Sequence, residues 1–182
     1  HRPGARRHRD AVILSRDFYE RPTLEVAREL LGTVLVHRRR GVETAGIIVE
    51  VEAYIGESDP ACHAAPGPTR RNRPLYGPPG LSYVYLNYGI HCLANVVTER
   101  EGFPAAVLIR ALEPIAGIGV MRTRRARAMK GRRAIRVGDL PDTALCRGPG
   151  NLTMAMGITL AENEVDVTGS RLFIDDRGIR PD

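Results

Sequence analysis

Ala45-Gly46-Ile47-Ile48-Val49-Glu50-Val51-Glu52-Ala53-Tyr54 reads as a β-strand rich in β-branched residues. Its period of two predicts Ile48, Glu50, Glu52 and Tyr54 on one face and Val49, Val51 and Ala53 on the other. Two carboxylates on one face are unusual for a purely structural strand, because neighbouring like charges repel. A solvated outer sheet face accounts for them as well as a functional site does. The end of the strand gives the functional reading its weight: Tyr54 runs into residues 56–80, a long loop dense in Gly, Pro and Arg. Rigid scaffolds commonly present reactive groups at such places.

Working outward, Leu24, Ala27, Leu30 and Leu31 recur with helical spacing between Thr23 and Gly32. Residues 23–31 are therefore expected to form an amphipathic helix, capped by Thr23 and stopped by Gly32. Residues 33–37 read as a strand and 38–41 as a basic turn. Further on, 82–87 and 91–98 read as two strands about a Tyr88-Gly89 turn, and 105–112 as another strand. A basic helix is expected over 115–130, a short one from Gly148 through Gly157, and strand character over 165–175. This irregular interleaving predicts one α+β domain over residues 11–182, with a curved, mainly antiparallel sheet and flanking helices. Residues 1–10, HRPGARRHRD, are expected to be a solvated, disordered basic tail.

The chain has 182 residues, enough for one domain, and its 43% hydrophobic and 26% charged content suits a soluble globular protein. No apolar run approaches the ~20 residues that span a bilayer, so no membrane partner is expected. Net charge is +6, and Lys130 is the sole lysine among 27 basic residues. That balance favours a polyanionic partner, although Arg-heavy codon usage inflates the count. Cys62, Cys92 and Cys146 are odd in number with no close pair, which argues against a zinc ribbon or disulfide framework and for a reducing compartment.

Five of the six tyrosines (Tyr54, Tyr76, Tyr83, Tyr85, Tyr88) fall between residues 54 and 88, near Arg70, Arg71 and Arg73. Flat rings beside cations are what stacking on bases requires. Tyr83 and Tyr85 share a strand face, where core packing readily explains one of them. Tyr88, at a turn, is expected to be exposed, where a large ring can wedge into a base stack. His37, beside Arg38, Arg39 and Arg40, reads as a surface residue. Asp59, Cys62, His63 and His91 match no standard ligand spacing, so no metal is expected. These residues are sufficient for cleaving a glycosidic bond in DNA. A carboxylate would support an oxocarbenium-like transition state and take a proton from water, while rings select an electron-poor base.

Four ordered stretches, VEVEAYIGESDPACH, TRRNRPLYGPPGLSYVYLNYGIHCLANV, AAVLIRALEP and CRGPGNL, resemble the alkyladenine (3-methyladenine) DNA glycosylase family across about residues 24–176. The resemblance implies a single domain with a protruding, DNA-intercalating hairpin. It also implies metal-independent, cofactor-free, monofunctional excision of a damaged purine from double-stranded DNA, in a bacterial-type, cytoplasmic, nucleoid-associated monomer. By that resemblance Glu52 is the general base, and Arg110 helps position the water and the flipped nucleotide's phosphate. Tyr54 and Tyr85 sandwich the base, and His63 closes the cage and offers its backbone N–H to the purine edge. Asn95 rejects guanine's amino group at the pocket floor, Tyr88 is the wedge, and Glu50 receives no catalytic role.

Arg70, Arg71, Arg73 and Asn151 are expected to contact DNA; Asn151 stands where some members carry Lys, and His91 where some carry Tyr. Members usually continue past the strand at 171–175 into a glycine-containing segment and an aromatic-rich strand. A chain ending at Asp182 is thus expected to bind DNA but excise slowly. Two other functions fit the residues: a carbohydrate glycosidase using Glu50 and Glu52, and a non-catalytic binder of damaged or single-stranded DNA.

Overall fold

The computed structural model describes residues 11–129 and 137–180, so the expected tail at 1–10 and the end of the expected 115–130 helix lie outside the described residues. The strands are β1 (Val12–Ile13), β2 (Val34–Arg39), β3 (Val42–Ile55), β4 (Ser82–Asn87), β5 (His91–Val97), β6 (Ala105–Ala116) and β7 (Leu172–Asp176). They pair antiparallel in one open sheet ordered β1-β7-β2-β3-β6-β5-β4. Helices α1 (Arg16–Tyr19), α2 (Thr23–Leu30), α3 (Ile118–Ala128), α4 (Asp142–Leu145) and α5 (Pro149–Met156) complete the α+β architecture expected from the sequence. Val26, Leu30, Met121, Leu145, Leu152 and Met156 from these helices bury against Ile48, Val107, Ile109 and Leu112 of the sheet.

Several boundaries move for identifiable reasons. Pro22, not Thr23, stands at the N-cap of α2, and the Thr23 hydroxyl instead bonds Thr98 Oγ1 at 3.0 Å and Glu99 Oε1 at 2.9 Å. β6 continues through Pro114 because a register shift opposite Ala45/Gly46 accommodates the proline. Gly46 is required there, since a Cβ would meet the Leu112 Cβ at 2.8 Å. Residues 165–167 are not part of a strand with β7; their backbone bonds reach Gly80 and Ser82, beside β4.

His37 is the clearest departure from the sequence reading. It is 1% exposed rather than at the surface, because β2 lies inside the sheet between β7 and β3. Its Nδ1 bonds the Met156 carbonyl at 2.8 Å, and Nε2 lies 3.4 Å from Oε1 of the fully buried Glu162. Glu162 also accepts from the Thr159 backbone N–H at 2.7 Å and from Arg171 at 2.7 Å. A buried carboxylate is tolerable only when so many donors converge on it.

The decisive local feature is a paired irregularity between β3 and β6. Ile48 pairs with Leu112, Glu50 with Ala111, and Val51 with Ile109, so Val49 and then Arg110 are left without opposite partners. Core-facing parity therefore flips on both strands: Ile48 lies in the helix-covered core together with Val51 and Ala53. The strict alternation that placed Ile48 beside Glu50 and Glu52 is broken by this bulge. Glu50, Glu52 and Tyr54 do share the opposite side, where the 56–80 loop packs.

Candidate active site

Beyond the bulge, the loop-covered face of β3, β6, β5 and β4 carries a second small core of Ala106, Val97 and Tyr83, joined by Cys62, Ala64 and Leu75 from the loop. Between loop and sheet lies a cavity of about 70 Å³ lined by Tyr54, His63, Tyr83, Tyr85 and Asn95, among others. The His63 and Tyr85 ring centroids are 4.2 Å apart, those of Tyr83 and Tyr85 5.2 Å. His63 Nδ1 and the Tyr83 hydroxyl share a 3.0 Å hydrogen bond. Burial first, and then nearby Arg71, push the His63 pKa down and favour a neutral imidazole. Asn95 is 6% exposed and spends an amide N–H on the Tyr83 carbonyl at 3.1 Å, which fixes the orientation of its side chain.

At the rim, Arg110 donates Nη1 to Glu52 Oε2 at 2.8 Å and Nε to Glu50 Oε1 at 3.0 Å. The Glu50 hydrogen bond leads in raising the guanidinium above its ordinary pKa, with Glu52 adding to it. Tyr54 connects this pair to the cavity: burial, and then a hydrogen bond to Glu52, raise its phenol well above the usual range. A carboxylate paired with Arg110 thus sits next to Tyr54, one wall of the aromatic cage. That arrangement can orient and deprotonate a water while balancing positive charge in a sugar.

None of the residues expected to touch DNA lines the cavity, although Arg71 lies against its wall. Tyr88 is 91% exposed at the β4–β5 turn, with backbone φ +49°, and the Ile90 N–H closes the turn on the Asn87 carbonyl at 3.0 Å. A bulky residue in left-handed backbone is strained, and here the ring gains no burial in return. Arg70 is exposed, and Arg73 reaches Glu164 at 3.4 Å. Arg71 donates to the Leu86 carbonyl at 2.9 Å and lies 5.4 Å from the centroid of the Tyr85 ring. Asn151, in the first turn of α5, donates to the Arg147 carbonyl at 2.8 Å. Gly150 beside it abuts His91, where a Cβ would meet the imidazole Cγ at 2.9 Å. The residues weighed as a metal cluster are drawn into other contacts: Asp59 accepts the Ile55 and Ala61 N–H groups, and Cys62 is buried. Among the described residues, no three His, Cys, Asp or Glu side chains converge as metal ligands would.

Residues 17–182 match the model of the methylpurine-DNA glycosylase (MPG) family. The chain belongs to the methylpurine-DNA glycosylase family. It is 50% identical over 165 residues to a Methanocella arvoryzae protein named "Putative 3-methyladenine DNA glycosylase", covering 90% of this chain and 77% of that one. A Chlorobium phaeobacteroides protein of the same name is 47% identical over 165 residues, with 90% and 77% covered. Another, from Rhodopseudomonas palustris (strain BisB5), is 46% identical over 170 residues, with 93% and 76% covered.

In this methylpurine-DNA glycosylase family chain, reading the sequence overlooked the residues that hold the site together. Asn72, 2% exposed, donates to the carbonyls of His63 at 2.8 Å and Gly67 at 2.9 Å and accepts the Thr69 N–H at 2.7 Å. It thereby folds the long loop over the cavity. The signal was an asparagine among arginines, indistinguishable from a solvated loop residue. Tyr83, one of the clustered tyrosines but given no role of its own by the sequence, supplies the hydroxyl that partners His63.

Proposed function

We propose that the chain is a monofunctional DNA glycosylase that flips a damaged purine out of duplex DNA and hydrolyses its N-glycosidic bond. The observation that carries this reading is the Glu52–Arg110 pair next to Tyr54, in a cavity wall shared with His63, Tyr83 and Tyr85. A flipped base enters the ring cage, where stacking and the Asn95 amide select it. Water accepted by Glu52, which Arg110 holds in place, attacks C1′ as the C1′–N9 bond breaks. Its proton passes to Glu52, and the bonding electron pair leaves with the base. A cationic alkylpurine departs neutral, and a neutral one takes up a proton. The Tyr88 ring occupies the gap left in the stack, and the arginines supply phosphate contacts. We read the chain as a cytoplasmic, nucleoid-associated monomer, in keeping with a DNA substrate. Separately, no helix among the described residues is long and apolar enough to cross a membrane.

One finding weighs against a carbohydrate glycosidase: Glu50 and Glu52, two residues apart on β3, are both tied to Arg110. A glycosidase pair must flank the scissile bond. Incubating duplex DNA that carries a single hypoxanthine or 1,N6-ethenoadenine, then treating it with alkali, tests the proposal. Strand breakage at the lesion is expected. Tight binding without breakage would mark a non-catalytic binder of damaged DNA.

A further inference from the structure

We propose that Arg71 is a specificity-determining residue: its charge, lying against Tyr85, biases the cavity against cationic bases and toward neutral ones. The inference rests on the glycosylase reading above. Arg71 lies 5.4 Å from the Tyr85 ring centroid but is not part of the cavity wall. Its Nη2 donates to the Leu86 carbonyl at 2.9 Å, which holds the guanidinium in place. Tyr85 in turn contacts His63 and Tyr83, with centroids 4.2 and 5.2 Å away. The same cation acts electrostatically on all three rings: it holds down the His63 pKa and works against the burial that raises both phenols.

A ring attracts a cationic base through the negative potential of its face. A guanidinium already bound to Tyr85 draws on that potential and adds a like charge near any cation stacked in the cage. The Glu52 carboxylate supplies the opposite sign: it accepts from Tyr54 and acts on Tyr85 as well, where Arg71 acts more strongly. The cavity is therefore polarised between Glu52 and Arg71. Any base gains from that field as electrons flow onto it during cleavage. A cationic base meets repulsion on entering.

The chemical step moves one electron pair onto the base whichever lesion is present, so its dependence on Arg71 is common to both. Discrimination must therefore appear in binding. A role for Arg71 in gripping phosphate would affect every duplex equally and cancel in a ratio.

The test uses the full chain in a Glu52→Gln background, so that bound lesions persist. Affinities are measured at mildly acidic pH for duplexes carrying 7-methylguanine, which is then cationic, or neutral hypoxanthine. Arg71→Met and Arg71→Gln, which remove the charge, are each expected to shift the ratio of Kd values toward 7-methylguanine by about 2- to 5-fold. Arg71→Lys, which keeps the charge, should leave the ratio near that of Arg71. An unchanged ratio in both uncharged variants overturns the inference, as does an equal shift in the lysine variant, which would assign the effect to packing. Wild-type protein is assayed for excision in parallel. Release of neither base would refute the glycosylase reading itself, whereas release of both with an unchanged ratio would refute only the role of Arg71.

Discussion

Arg110 Nη1 stands 2.8 Å from Glu52 Oε2, although the two residues are not cross-strand partners. In the ladder Glu52 faces Leu108, and Arg110 is the residue left over where the β3–β6 register shifts. Released from the ladder, Arg110 reaches toward the carboxylates while Ile109 and Leu112 stay in the core. The bulge thus lets one stretch of strand both bury its apolar residues and present a charged pair.

Glu52→Gln should abolish base excision while leaving affinity for damaged duplex nearly intact. The amide keeps the shape of the side chain but cannot take a proton from water, a loss of about 10²–10⁴ in rate. Glu50→Gln keeps an acceptor for Arg110 and should be far milder. Single-turnover rates of the two variants decide the matter, and equal losses would overturn the assignment of Glu52 as sole base.

Replacing Tyr88 should separate stability from function. Tyr88→Asn removes the ring and places a residue better suited to φ +49° at the turn. Thermal stability should hold or rise slightly, because asparagine meets less steric cost in left-handed backbone than tyrosine does. The flipped state should become less populated, as read by 2-aminopurine fluorescence beside the lesion. An undiminished flipping signal would make Tyr88 an ordinary turn residue.

Asn72→Ala removes the partner of two carbonyls and one N–H that stand on half-buried or exposed loop residues. The lost hydrogen bonds cost about 1 kcal/mol each, so Tm should fall by several degrees. Excision at a temperature where the variant remains folded should fall as well, because the His63 segment loses its anchor. Loss of stability with full activity would show that the cage does not depend on this asparagine.

Acid sensitivity should trace in part to Glu162. Burial alone would raise its pKa, but the Thr159 backbone N–H, Arg171, His37 and the Thr159 hydroxyl outweigh that and hold it below the ordinary value. A depressed carboxyl stabilises the fold above its unfolded-state pKa, and that contribution is lost as pH falls through the lower, folded-state value. Glu162→Gln should therefore lower Tm at neutral pH and flatten the acid limb of Tm against pH. A variant as acid-sensitive as wild type would place the titration elsewhere.

Binding to duplex DNA should weaken steeply with salt, log affinity falling by about 0.9 per phosphate contacted for each unit of log salt. Excision should proceed unchanged in EDTA. Complete inhibition by EDTA, reversed by a divalent ion, would return Asp59, Cys62, His63 and His91 to consideration as ligands.

Most of the longer elements are legible along the chain, because hydrophobic periodicity and turn residues are local. The helix at Thr23–Leu30, the hairpin about Tyr88-Gly89 and the antiparallel α+β class all follow from the sequence. It also marked Tyr54, His63, Tyr85 and Asn95, which the fold gathers around one cavity. Only the tertiary structure decided which way residues face across the bulge, since the parity of Ile48 depends on hydrogen bonds between β3 and β6. It likewise decided that His37 is buried, that Asn72 anchors the loop, and that Arg71 lies against Tyr85. The physical reason is common to all four. Each depends on a partner nine or more residues away along the chain, and a side chain's identity carries no record of which partner the fold will bring to it.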